Sequence, residues 1–213
     1  MNAKFILLLT CLGIGASLFI PETTLGGMIT TGSWYMDQSN ALADGVNYGQ
    51  VDILADTTNG TVKFTVDAFD VQPTYGTLSK FGIQEFGFNY SSNVTAAPST
   101  WTLDLPTNWD QAPGQIDGFG FFLVTEDTSG SNNRKDPLVF TITLPDGHEE
   151  EAVAGNFAVL STGSTEGDAF FAAHIAGFSN APTSHKVGGS TPVPEPASVA
   201  LLILGGLALR RRR

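Results

Sequence analysis

Three things are scarce in this chain: cysteine, positive charge and histidine. Its 213 residues include one cysteine, Cys11, which excludes a disulfide framework and any cysteine-built zinc site. Between Met28 and Val193 nineteen Asp and Glu residues stand against five Lys and Arg, a balance of −14 with histidine neutral. That surface carries no basic footprint for nucleic acid. It suits solubility outside a cell. His148, His174 and His185 are scattered, with no His-Glu-x-x-His spacing, and no Gly-x-Ser-x-Gly is present. The common zinc-protease and α/β-hydrolase chemistries are therefore without their residues. Long apolar runs are missing too, except at the two ends.

At the first end, Met1 to Lys4 supply a short positive start and Phe5 to Ile20 an apolar stretch, the pattern of a secretory signal peptide over residues 1–26. No clean Ala-x-Ala marks the cleavage point, which places the mature start between Leu18 and Met28. Thr10 before Cys11 departs from a lipobox, so lipidation is not expected. Removal of the peptide leaves a mature chain with neither a disulfide nor a thiol nucleophile.

At the other end, Val193-Pro194-Glu195-Pro196 precedes an uncharged run, Ala197 to Leu209, and the chain closes on Arg210, Arg211, Arg212 and Arg213. In lipid a backbone must satisfy its own polar groups, so the run is expected to be a single transmembrane helix. Thirteen residues at about 1.5 Å each reach about 20 Å, short of the roughly 30 Å hydrocarbon core. Long arginine side chains extend such a span by snorkelling toward headgroups. Basic residues stay on the cytoplasmic side, which leaves everything before Pro194 outside.

The Pro-Glu-Pro motif, the Leu/Gly-rich run and the arginine end, in that order and spacing, resemble a PEP-CTERM sorting signal over residues 193–213. The resemblance implies recognition by an exosortase, an integral-membrane cysteine transpeptidase of Gram-negative bacteria. It also implies transient anchoring in the inner membrane, cleavage at or near Pro194 to Pro196, and delivery to the cell surface or exopolysaccharide matrix. Residues 116–122, 138–144 and 169–178 resemble segments in the bodies of such proteins, and no activity comes with that likeness.

The centre, residues 28–179, reads as one all-β domain. Val62, Phe64, Val66 and Ala68 alternate with polar residues, as do Phe86, Phe88 and Tyr90, and Leu138, Phe140, Ile142 and Leu144. Alternation of this kind marks half-buried strands. Further strands are expected at 49–55, 100–105, 119–124, 157–161 and 169–178, with a helix conceivable only at 168–175. Short strands at such intervals make an antiparallel β-sandwich or jelly roll. Residues 180–192, rich in Ser, Gly and Pro, read as a flexible linker to the tail.

Chemistry-bearing candidates are few, and no enzymatic activity is expected. Trp109, in Pro106-Thr107-Asn108-Trp109-Asp110, reads as a loop aromatic and is the candidate carbohydrate contact. Trp34, Tyr35, Tyr75 and Trp101 are the other aromatics a sugar-binding sandwich could use. No cofactor or metal is required. Calcium has oxygen donors available at Asp146 to Glu151 and at Asp127, Ser129, Ser131, Asn132 and Asn133, but neither stretch has EF-hand spacing. Alternation puts Glu85 opposite Phe86 and Phe88, on an exposed face. His174 is expected to be half-buried on a strand and His185 solvated in the linker.

Overall fold

Period-two alternation produces strands where it was strongest. The structure, a computed structural model, describes residues 27–69, 77–128, 130–180 and 182–194. Twelve strands run through them: β1 (Ile29–Met36), β2 (Gln38–Ser39), β3 (Gly49–Asp56), β4 (Thr61–Ala68), β5 (Thr77–Phe88) and β6 (Thr102–Asp104). The second half holds β7 (Asp110–Ile116), β8 (Gly120–Asp127), β9 (Leu138–Thr143), β10 (Phe171–Phe178), β11 (Ser184–Gly189) and β12 (Thr191–Pro192). They form two six-stranded antiparallel sheets, in the orders β12-β1-β3-β4-β9-β6 and β2-β11-β10-β5-β8-β7. The all-β class and sandwich-like layering expected from the pattern are what is observed. The only helical turns among the described residues are short 3-10 segments.

The sheets meet on an aromatic core. Phe64 of β4 lies 4.8 Å from Phe140 of β9 in a near-parallel stack and 4.6 Å from Phe88 of β5. The core thus crosses from one sheet to the other through ring contacts. Phe86 stacks in turn on Phe171 of β10 at 6.1 Å. The faces are those the alternation requires: Val62, Phe64 and Val66 are fully buried, as are Phe86, Phe88, Leu138 and Ile142. Burying a phenylalanine side chain is worth about 1.5–3 kcal/mol, so this cluster does the work that cross-links do in cysteine-rich secreted domains.

A second, smaller cluster lies on the far side of the β5–β10 sheet: Ile116, Phe119, Phe122, Ala169 and Ala172. Gly87 shows why the two clusters are separate. It alternates with Phe86 and Phe88, and a Cβ placed on it would meet Ile116 and Phe122 within 3.0 Å. The Phe119 ring likewise rests on Gly188 of β11, where a Cβ would come within 2.5 Å of it. Half of this sheet's outer face is thereby covered, and the other half is open.

Two expectations are corrected. Residues 180–192 are not a flexible linker: β11 pairs with β10 from Phe171–Gly189 to Ala176–Ser184, and Val187 is fully buried. A single apolar residue in Ser184–Gly189 was too little for the alternation to register, yet the backbone completes a sheet. The strand expected at 169–178 is observed as β10, with Phe171, Ala173 and Ile175 turned toward the main core, and no helix forms at 168–175. The strand expected at 157–161 is absent, and a 3-10 turn at Ala154–Phe157 buries Phe157 instead.

The two ends of the domain lie together. β12 runs antiparallel to β1, with Trp34 opposite Pro192 and Tyr35 opposite Thr191. Beyond them the Val193 amide donates to the Ser33 carbonyl at 2.9 Å. The chain therefore leaves toward the end of β1 at which it came in. Among the described residues no helix is long and apolar enough to cross a membrane. The signal peptide expected at 1–26 and the transmembrane helix expected at 197–209, with the arginines that follow it, lie outside the described residues.

Candidate functional site

The open half of the outer face carries a line of ionisable side chains set by strand register. Lys186 of β11 pairs with His174 of β10, and His174 with Glu85 of β5. Glu85 faces Asp127 of β8, and Asp127 faces Asp110 of β7. Directly opposed residues in an antiparallel sheet hold their Cβ atoms about 4.5–5.5 Å apart. Five strands therefore bring into one row residues that span 102 positions from Glu85 to Lys186. No local motif announces this arrangement.

Electrostatics along the row follow from burial and neighbours. Lys186 Nζ reaches over His174 to Glu85 Oε2 at 3.3 Å. Burial raises the Glu85 pKa, the Lys186 ammonium opposes that rise, and the Asp127 carboxylate adds to it. Glu85 lies on the face opposite Phe86 and Phe88, where alternation places it, but it is half-buried and paired with Lys186 instead of exposed. His174 is pushed down to about 4, first by burial and then by Lys186, Arg134 and His185. It is neutral at pH 7. Beside the row, Arg134 Nε donates to Gln84 Oε1 at 3.0 Å and fixes the loop before β9 against β5.

Glu85, Asp110 and Asp127 line a cleft of about 270 Å³ together with Asn108, Ala112, Pro113, Gly114 and Thr125. Its lining offers the carboxylates of Glu85, Asp110 and Asp127 as acceptors and the carboxamide of Asn108. Such an arrangement receives hydroxyl or ammonium groups. Among the described residues, no three His, Cys, Asp or Glu side chains are placed to hold a metal ion.

Trp109 is not the exposed platform expected of it. Asn108 takes a left-handed φ of 66°, which asparagine tolerates, and the next side chain turns inward. Trp109 is 4% exposed and its indole N–H donates to the Asn133 carbonyl at 2.9 Å. The ring belongs to the main core. Trp101 is likewise buried, its indole N–H donating to the Ala96 carbonyl at 3.1 Å. Trp34 packs against Phe171 at 5.3 Å. Tyr35 remains half-buried beside Phe69, and Tyr75 lies outside the described residues.

The acidic turn spends its carboxylates on the fold. Glu151 accepts hydrogen bonds from the Thr95 hydroxyl at 2.6 Å and the Thr95 amide at 2.8 Å, and lies 2.8 Å from His148 Nδ1. Burial alone would raise its pKa, but these partners and the Ala96 amide outweigh that and hold it at about 2. Glu149 accepts from the Gly147 amide within the same turn. On the second oxygen-rich stretch, Asn133 is engaged through its carbonyl by Trp109, and Ser129 lies outside the described residues.

Sequence reasoning misplaced His185, expected to be solvated in the linker. Far from being solvated, it is 4% exposed, stacked on Phe178 at 4.7 Å and edge-on to Tyr48 at 5.4 Å. Neither ring nitrogen has a hydrogen-bond partner. No local signal marked it, because its burial follows from the pairing of β11 with β10, opposite Ile175. Of the residues expected to form a sorting motif, Val193 is bonded to Ser33 as above and Pro194 is exposed. Glu195, Pro196 and Arg210 to Arg213 lie outside the described residues. No protein-family model matches the chain, and neither a curated protein nor a solved structure does.

Proposed function

We propose that this is an exported cell-surface or extracellular-matrix protein, carried out by its N-terminal signal and sorted by an exosortase at Pro194-Glu195-Pro196. The β-sandwich is its non-enzymatic passenger, with a structural or interaction role. In this reading the chain passes through the inner membrane, is held there by the segment 197–209, and is then released to the envelope surface or matrix. One observation carries it: motif, apolar segment and arginine cluster follow each other in sorting-tail order. The fold is compatible with it: among the described residues the last strand ends at Pro192, and the Val193 amide bonds to the Ser33 carbonyl immediately before the motif.

The deciding experiment is mass spectrometry of the C-terminal peptide in envelope and secreted fractions. A terminus at or near Pro194 to Pro196 is expected. A terminus at Arg213 in every fraction would sink the cleavage step. Glu195 is the least replaceable residue of the motif in this reading, a charged handle held between two rigid prolines. Glu195→Ala is expected to leave the tail uncut in the same measurement.

A second reading, a carbohydrate-binding module for exopolysaccharide, is favoured by the acceptor-lined cleft and not by the tryptophans. Sugar hydroxyls match its Asp110, Asp127 and Asn108 side chains. Retention on a panel of acidic and neutral polysaccharides, lost in Asp110→Ala with an unchanged melting temperature, is the expected result. Equal retention of both forms would remove the cleft from consideration.

A further inference from the structure

The cleft beside the ionisable row holds a hydroxyl that the fold leaves unused. Thr125 lies two residues before Asp127 on the same face of β8, between Gly87 of β5 and Ala112 of β7. Neither neighbour has a polar side chain. Thr125 is 5% exposed, and its Oγ1 has no hydrogen-bond partner among the described residues. It lines the cleft, and so does Gly114, where a Cβ would stand 2.8 Å from that oxygen. Gly114 is not among the glycines with positive φ, so its missing side chain serves space over the hydroxyl and not a special backbone conformation. A buried hydroxyl without a partner is costly, and folds seldom leave one so.

Charge is out of balance at the same place. Asp127 stands directly opposite Glu85 on one side and Asp110 on the other, and like charges opposed across strands repel. Lys186 answers Glu85 alone, at 3.3 Å. With His174 neutral at pH 7, the row sets three carboxylates against one cation. Asn108 donates its side-chain N–H to Asn133 Oδ1 at 3.2 Å, which leaves its own Oδ1 as a further acceptor. Among the described residues lining the cleft none is aromatic, so a neutral sugar finds no stacking surface. At about 270 Å³ the cleft falls just under the roughly 300–1,000 Å³ of sites that enclose whole drug-sized ligands. That is a size for one sugar unit and not for a folded partner.

We infer that the cleft takes a protonated amino sugar, a glucosamine-type unit of a deacetylated polysaccharide, with its ammonium between Asp110 and Asp127 and a neighbouring hydroxyl on Thr125 Oγ1. The inference rests on the sugar-binding reading of the cleft above and narrows it to a cationic unit. The ammonium sets a positive charge where two carboxylates oppose each other, and its three protons find acceptors there. The adjacent sugar hydroxyl donates and accepts, as the threonine hydroxyl does. A lysine side chain brings its ammonium on an apolar stem and offers Thr125 nothing. An acidic polymer is repelled by the carboxylates and by the balance of −14 between Met28 and Val193, a field that draws in a cationic polymer instead.

Isothermal titration calorimetry of the detergent-solubilised full chain, at mildly acid pH, tests this with a glucosamine tetramer, its fully N-acetylated counterpart and tetralysine. The glucosamine tetramer is expected to bind at least about tenfold more tightly than either, the worth of one charge-assisted hydrogen bond. Asp127→Asn, and separately Asp110→Asn, are expected to erase that preference while the melting temperature holds or rises, because each removes a like-charge pair. Thr125→Val is expected to raise the melting temperature of the free protein and to weaken glucosamine binding about threefold or more. A hydroxyl with a purely structural role would not move the two in opposite directions. Equal binding of the free and N-acetylated tetramers overturns the inference and leaves the neutral-sugar reading standing. Tetralysine bound as tightly as glucosamine overturns the sugar half of it. Absence of binding by every probe also overturns it, and the polysaccharide panel then decides the broader reading by itself.

Discussion

His185 concentrates the residue-scale lesson. Burial holds its imidazole at about 4, and burial with nearby positive charge does the same for His174. Unfolded, each titrates near 6.5. Between those values the unfolded chain takes up protons that the fold refuses, so stability falls as pH drops from about 6.5 toward 4 and is fully present above 6.5. His185→Phe keeps the stack on Phe178 and removes the titration. Urea midpoints at pH 7 and pH 5 are expected to differ less in this variant than in the parent; an unchanged gap would exonerate His185. Glu151 works in a lower window. Its pKa is held at about 2 against an ordinary 4.5, so its contribution is present above 4.5 and is lost as pH falls toward 2. Glu151→Gln at pH 7 weakens bonds to a charged acceptor and is expected to cost about 1–3 kcal/mol in denaturant unfolding. Trp109 shows a different side of the same scale. Trp109→Ala is expected to cost about 3–5 kcal/mol as a core truncation, visible as a large drop in melting temperature whatever ligand is present.

At the scale of elements, legibility tracked side-chain contrast. β4 and β9 were readable because bulky apolar residues alternate with Lys63, Thr65, Thr141 and Thr143. β7, Asp-Gln-Ala-Pro-Gly-Gln-Ile, and β11, Ser-His-Lys-Val-Gly-Gly, were not. Their membership in the sheet comes from backbone pairing to neighbours already in place, a long-range cause that no local window contains. The row from Lys186 to Asp110 was illegible for the same reason, since register assembles it. Glycine in β11 illustrates how composition misled: Gly188 is no sign of a linker but the floor beneath Phe119. Gly188→Ala forces that ring off its seat, and a loss of about 1–3 kcal/mol from overpacking is expected, measured by urea unfolding. Unaltered stability would mean that the lid over Ile116 and Phe122 moves freely.

For the whole molecule, the domain boundary decides what a shortened protein does. A chain ending at Ser179, where the sandwich was expected to stop, lacks β11 and β12 and exposes the length of β10. Such a fragment is expected to be digested by protease under conditions in which a chain ending at Pro194 survives. Equal resistance would restore the view of 180–192 as a dispensable linker. The sorting tail proposed for residues 193–213, by contrast, is a reading of contiguous residues through their hydropathy and charge. The shared exit of the two ends has one more consequence, a mechanical one. Tension applied between Met28 and Pro194 does not shear β1 along β12; it opens them like a zipper, loading one hydrogen bond at a time, beginning with Val193 to Ser33. Pulled between two anchors on one surface, the sandwich yields first at its C-terminal strand, while the aromatic core bears almost none of the load.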